Sequence, residues 1–227
     1  RYFPYSRRGF GYASAEEALR QAIAIAERHA LKSVEFSALY HLQLLMKLRN
    51  DFSEFNALIS RLGEIADSRF TTQVAVVADC QAALHTRQGD FARAYQDCDV
   101  FMEAIERANE PMVERWPHYV TKFQLLLADR RPHEAAERLE GILDRLDGGP
   151  RQRVELSMLA AQALEEKWAA EPYRTGGAAY DQRLGAFMAA LRAANIPPVL
   201  VHIPDLVSEL VADALDSNND TELIRQL

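Results

Sequence analysis

The sequence predicts an all-α fold, a right-handed α-solenoid of antiparallel helical hairpins, and three observations predict it. Ala (35) and Leu (27) make up about 27% of the 227 residues, and these residues lose least on entering a helix. Gly and Pro number only 10 and 9, too few for the many turns of a β-sandwich or barrel. Turn-plus-helix segments also recur: Asn50–Phe55 (NDFSEF), Gly89–Ala94 (GDFARA) and Arg131–Ala136 (RPHEAA). Their equivalent positions, Phe52, Phe91 and His133, lie 39 and 42 residues apart, a period of about 40. A helical hairpin cannot bury its apolar face alone, so such a recurrence implies stacking of each unit on the next.

Each element follows from its own residues. Ala15–Ala30 is an amphipathic helix, with Ser14 placed to cap it and Glu17 completing a capping box. A helix from Val34 to Leu48, a turn at Arg49–Asp51 and a helix Phe52–Ile65 come next. Phe55, Leu58, Ile59, Leu62 and Ile65 fall at three- and four-residue steps in that third helix. Thr72–His85 and Phe91–Ala108 flank the turn Arg87–Asp90, where Gly89 suits the left-handed residue after a helix. Trp116-Pro117 places the start of the next helix near Pro117, because an interior proline removes a hydrogen bond. That helix ends near Ala128, and His133–Leu146 follows the turn at Asp129–Pro132. Asp147–Gly149 stops it and Pro150 opens Arg151–Ala169. After the loop Glu171–Gly177, Tyr180–Ala194 is helical. Pro197, Pro198 and Pro204 break the chain before a last helix, Asp205–Leu215. The expected organisation is a remnant of a preceding repeat or a linker over 1–12, a repeat domain over 13–216, and a tail or linker over 217–227.

A composition of 48% hydrophobic and 26% charged residues describes a globular chain. The net charge of −7 argues against direct nucleic-acid contact, which needs a basic face. Two cysteines are no disulfide framework. No apolar run approaches the ~20 residues of a membrane helix, and Arg1–Tyr12 lacks the apolar stretch of a signal peptide. A cytoplasmic piece of a longer protein is expected.

Arg87–Tyr95 (RQGDFARAY) resembles the turn and second-helix start of a tetratricopeptide repeat. Gly89, Asp90, the aromatic Phe91 and the small Ala94 stand where that motif places them, and Ala82 matches the small residue of its first helix. The period near 40 is similar to that of the repeat region in large LuxR-type transcription regulators of the maltose-activator kind. Arg192–Leu215, with Ile196-Pro197-Pro198 before DLVSELVADAL, resembles the end of such a region. The resemblance covers roughly residues 12–215. It implies a superhelix that receives a peptide, a protein or a small effector in its concave groove, on a polypeptide carrying further domains. It implies a ligand-sensing or protein-binding role in regulation, transcriptional regulation first. A scaffold or adaptor that binds a partner peptide, and an accessory arm of an enzyme, are the alternatives.

The sequence marks no catalytic set, cofactor or metal site. Its six histidines form no HExxH or zinc spacing, and no phosphate-binding glycine loop or GxSxG is present. Glu16-Glu17 and Glu165-Glu166 read as carboxylates on solvated helix faces. Cys80 and Cys98 lie equally far from Gly89, so a hairpin turning there sets them at one level. They read as two small buried hydrophobes, the alternative being a redox pair. Arg1–Tyr12 interleaves arginines with aromatics, as base-stacking segments do, but reads first as packing on the opening hairpin. If the first helix of each pair lines the groove, the candidate groove residues are Ser37, Tyr40, Lys47, Asp79, Arg87, His118 and Thr121. These mix polar, charged and aromatic groups as a ligand groove does.

Ala94 is the expected point of close helix approach, so Ala94→Leu should overpack by about 1–3 kcal/mol and lower the melting temperature of the whole chain. Glu16→Ala, on a solvated face, should change stability by less than about 0.5 kcal/mol. Paired thermal melts check both, and the reverse order would refute the register.

Overall fold

Apolar side chains at three- and four-residue steps gather on one face of a helix, and that face must be buried. In a computed structural model of the protein this pattern produces nine α-helices and no strand among the described residues, which are 11–48, 52–108, 112–146, 149–171 and 177–194 with Leu210 and Ala212. The helices are α1 (Gly11–Arg28), α2 (Lys32–Leu48), α3 (Phe52–Ile65), α4 (Thr71–Gln88), α5 (Phe91–Ala108), α6 (Met112–Ala128), α7 (Pro132–Leu143), α8 (Gly149–Ala170) and α9 (Ala178–Ala193). The turn at 49–51, the core of the loop at 172–176, the proline-rich break, the tail and residues 1–10 lie outside the described residues. Of the expected last helix, Leu210 and Ala212 are described and are helical.

Two expected helix starts are corrected. Ser14 does not cap α1, because the helix begins at Gly11 and takes Ser14 into its first turn. Nor does α6 start at Pro117; it runs from Met112 through that proline. Pro117 is the sixth residue of this helix, so its missing N–H withholds one helical bond, the one the Val113 carbonyl would accept.

The described residues divide into two units. The first holds α1–α3, α4 as far as Leu84, and α5 from Gln96. There α1 packs on α2 and α2 on α3, around Phe36, Leu39, Leu42, Met46, Phe55, Ile59, Leu62 and Cys80. Its three first helices are also tied by charge. Glu35 is only 3% exposed, with Arg61 of α3 at 2.9 Å and Lys32 at 3.0 Å. Arg61 also pairs with Glu27 of α1. Arg20 of α1 lies 2.8 Å from Glu16 and 2.7 Å from Glu54 of α3.

The second unit holds the α4–α5 turn, His85–Tyr95, and α6–α9. Helix α7 packs on α6 and α8, and α8 packs on α9. Phe123, Leu126, Ala135, Leu139, Leu164, Phe187, Leu191 and Leu210 are part of its core.

One local device recurs in both units. Ala30, Gly89 and Arg130 have φ of 54°, 74° and 54°, and each follows a helix end closed by the same two backbone bonds. Leu31, Asp90 and Arg131 donate to the carbonyls of Ala26, His85 and Leu126 at 2.8, 3.0 and 2.8 Å. Ala30, Gly89 and Arg130 donate to Glu27, Thr86 and Leu127 at 3.1, 3.1 and 3.0 Å. This is the Schellman closure, which needs a left-handed residue. Glycine takes that conformation freely, whereas Ala30 and Arg130 accept it at a cost of about 1 kcal/mol each.

The burial pattern is the same around each turn. Seven residues before the left-handed residue stand Ile23, Ala82 and Phe123, and five after it stand Glu35, Ala94 and Ala135, all buried. Further along the second helix, Leu39, Cys98 and Leu139 are buried at equivalent places, then Leu42, Phe101 and Ile142. Phe55, Ile59 and Leu62 of α3 keep the same spacing. This shifts the third segment of the sequence alignment by one residue. Arg130, not Arg131, stands where Gly89 stands, so Pro132 replaces His133 as the counterpart of Phe91. The left-handed residue must precede the helix by two places, and proline favours the first helical position.

Glu35 is the acidic exception at a place otherwise held by alanine. The Arg61 guanidinium, opposed by burial and helped by Lys32, holds its carboxyl below the ordinary value of 4.5. A carboxyl depressed in the folded state stabilises fully above its unfolded value, and the gain is lost as pH falls through the folded value. Glu35→Gln should therefore cost about 2 kcal/mol at pH 7 and less at pH 3. Urea unfolding at the two pH values measures the difference; equal losses would refute the assignment.

Candidate functional site

A groove lined mostly by charged side chains lies within the second unit. Helix α7 sets His133, Glu137 and Glu140 on one face at four- and three-residue steps, the spacing that aligns side chains along a helix. Helix α8 does the same with Gln162, Glu165, Glu166 and Ala169, and α9 adds Arg183. With Ala136 these residues line a groove of about 390 Å³.

Four carboxylates face one guanidinium there. His133 bridges the walls: Nε2 is 3.3 Å from Glu137 Oε1, and Nδ1 is 3.3 Å from Glu165 Oε1. Arg183 Nη1 donates to the neutral Gln162 Oε1 at 3.1 Å and so quenches no carboxylate by that bond. Glu140 and Glu166 make no ion pair among the described residues. The groove thus keeps a negative surplus on acceptor-only groups, which suits an ammonium or guanidinium. Among the described residues no three His, Cys, Asp or Glu are placed to hold a metal ion. A second hollow, along one face of α1 in the first unit, is wide open and lined by Ala13, Glu16, Glu17, Arg20, Gln21 and Ala24.

Neither hollow is lined by Ser37, Tyr40, Asp79, Arg87 or Thr121, five of the seven residues singled out from sequence. Ser37 and Tyr40 lie together on α2 in the first unit. The Ser37 carbonyl is 2.7 Å from His41 Nδ1, and the Tyr40 ring meets that imidazole edge-on at 5.4 Å. Asp79 is half-buried in the first unit, and Arg87 is exposed at the α4–α5 turn of the second. Thr121 is 4% exposed, a core position and not a groove wall. The side chains of Lys47 and His118 lie outside the described residues. Cys80 and Cys98 are buried free thiols, and Cys80 Sγ donates to Gln43 Oε1 at 3.5 Å.

The sequence holds half of the signal for the acidic groove. Glu165-Glu166 stands out as a carboxylate pair, and His133–Glu137 has helical spacing. What brings them together is the packing of α7 and α9 against α8, which no local spacing encodes.

Comparisons with protein-family models, with curated proteins and with solved structures give no match to this chain.

Like charges left unpaired on neighbouring helices repel. The double variant Glu140→Gln/Glu166→Gln should therefore be more stable than the parent by about 0.3–0.8 kcal/mol at low salt. The gain should vanish at 1 M salt, where the screening length is about 3 Å. Chemical denaturation at both ionic strengths checks this.

Proposed function

We propose that this chain is a non-catalytic binding region of a larger, cytoplasmic regulatory protein, in which stacked helical hairpins present a groove to a peptide, protein segment or small effector. The recurring left-handed turn and its fixed burial pattern support the hairpin reading. The observation that carries the binding reading is the negative surplus in the groove between α7, α8 and α9. A groove of carboxylates attracts an occupant rich in lysine or arginine and rejects an acidic one. Transcriptional regulation is the output this reading favours. A helix-turn-helix or nucleotide-binding domain elsewhere on the same polypeptide would support it, whereas a catalytic domain would favour the accessory-arm alternative.

Titration with a fluorescent tetralysine peptide tests the groove. Binding should weaken by about tenfold between 50 and 300 mM salt. It should fall by about tenfold in Glu140→Gln/Glu166→Gln, a loss of roughly 1.4 kcal/mol, and tetraglutamate should not bind. Absence of tetralysine binding, or binding indifferent to the two substitutions, would overturn the reading.

A further inference from the structure

The α6–α7 turn carries an arginine where its backbone favours glycine. Arg130 sits at φ 54°, the region that Gly89 occupies at the matching turn without steric conflict. Its side chain lies over Trp168 of α8, 5.4 Å from the ring centroid. Its guanidinium also reaches Glu171, just past the end of α8, at 3.6 Å. Trp168 packs in turn against the second unit's core, so it is a firm platform. The next residue turns to a different neighbour. Arg131 lies 5.5 Å from the Tyr95 ring centroid and donates to the Tyr95 hydroxyl at 3.0 Å. That hydroxyl donates to Asp129 at 2.9 Å. Two consecutive arginines are thus each committed to a separate element by an aromatic face.

The position of this turn relates it to the acidic groove. Pro132 and His133 follow it directly, and His133 is the first groove residue of α7. Trp168 directly precedes Ala169, the last groove residue of α8. Arg130 therefore joins the two walls at one end, while the His133–Glu165 contact at 3.3 Å spans them alongside.

We propose that the Arg130–Trp168 contact is a latch that sets the spacing of α7 and α8, making Arg130 and Trp168 positioning residues for a cationic ligand. The ligand part rests on the groove reading above; the spacing part does not. The latch accounts for an arginine at a left-handed position, where glycine would close the turn without strain but make no contact with Trp168.

The test uses Arg130→Gly, Trp168→Leu and the double variant. Arg130→Gly relieves the backbone while removing the side chain, so the turn itself is preserved. Trp168→Leu keeps an apolar contact with the core. Amide hydrogen exchange over Ala135–Leu139 should quicken by about threefold to tenfold in each single variant. The double variant should exchange no faster than the quicker single one, because both remove one shared contact. Tetralysine affinity should fall by about threefold to tenfold in both single variants. For Arg130→Gly this direction is diagnostic, since removing a positive charge beside an acidic groove would by charge alone strengthen binding. Unchanged exchange, additive effects in the double variant, or stronger binding by Arg130→Gly would each overturn the latch. If the parent chain binds no tetralysine while exchange changes as expected, the groove reading falls and the spacing role of Arg130 and Trp168 is supported. If the parent binds but exchange and affinity ignore both substitutions, the latch falls and the groove reading stands.

Discussion

The structure depends on what happens in the two residues after a helix ends. A left-handed residue lets the next N–H reach back five positions, and a new helix starts at once. From there the geometry is fixed: the fifth residue beyond the turn points inward, and the ninth and twelfth follow on the same stripe. Ala94 and Ala135, both fully buried, are small because the helix is brought in close at that point. The long apolar residues come later, as at Leu42, Phe101 and Ile142. The constraint is thus geometric before it is hydrophobic, and it serves α2, α5 and α7 alike.

Glu35 shows how far that constraint can be bent. A carboxylate at the close-approach position would normally be a serious desolvation cost. Here Arg61 reaches it from α3 and Lys32 from one turn before, so the charge is paired where it is buried. Arg61 is itself shared with Glu27. The tie joins three consecutive helices through one guanidinium, whose fork geometry allows more than one carboxylate partner. An apolar residue at 35 would remove the tie from α2 to Arg61, leaving α1 and α3 joined by Arg61–Glu27 and Arg20–Glu54.

Much of the helical layout was legible in the chain itself. The bounds of α3 and α5 and the end of α6 follow from apolar spacing and from the residues at their ends. The Gly89 turn was legible because glycine advertises a left-handed residue. Its counterparts at Ala30 and Arg130 were not, since alanine and arginine carry no such signal and the backbone alone reveals them. That silence also sets the segment at Arg131–Ala136 one residue late in an alignment made from sequence. The groove was least legible. The seven residues taken from the first helices depend on rotation about each helix, where one residue is about 100°, and Thr121 accordingly falls in the core. The carboxylates of α7 and α8 meet only through tertiary packing, and Arg183 joins them from a helix whose sequence says nothing of its neighbours.

The two cysteines give the first unit an internal clock. Both thiols are inside, Cys80 with 3% exposure and Cys98 with none, and the chain has no other cysteine. A thiol reagent in water therefore meets no target until the helices that cover them part. Its rate of consumption by the native protein reads the frequency of that parting directly. No label need be introduced, and any molecule that holds the first unit closed would reveal itself by slowing the reaction.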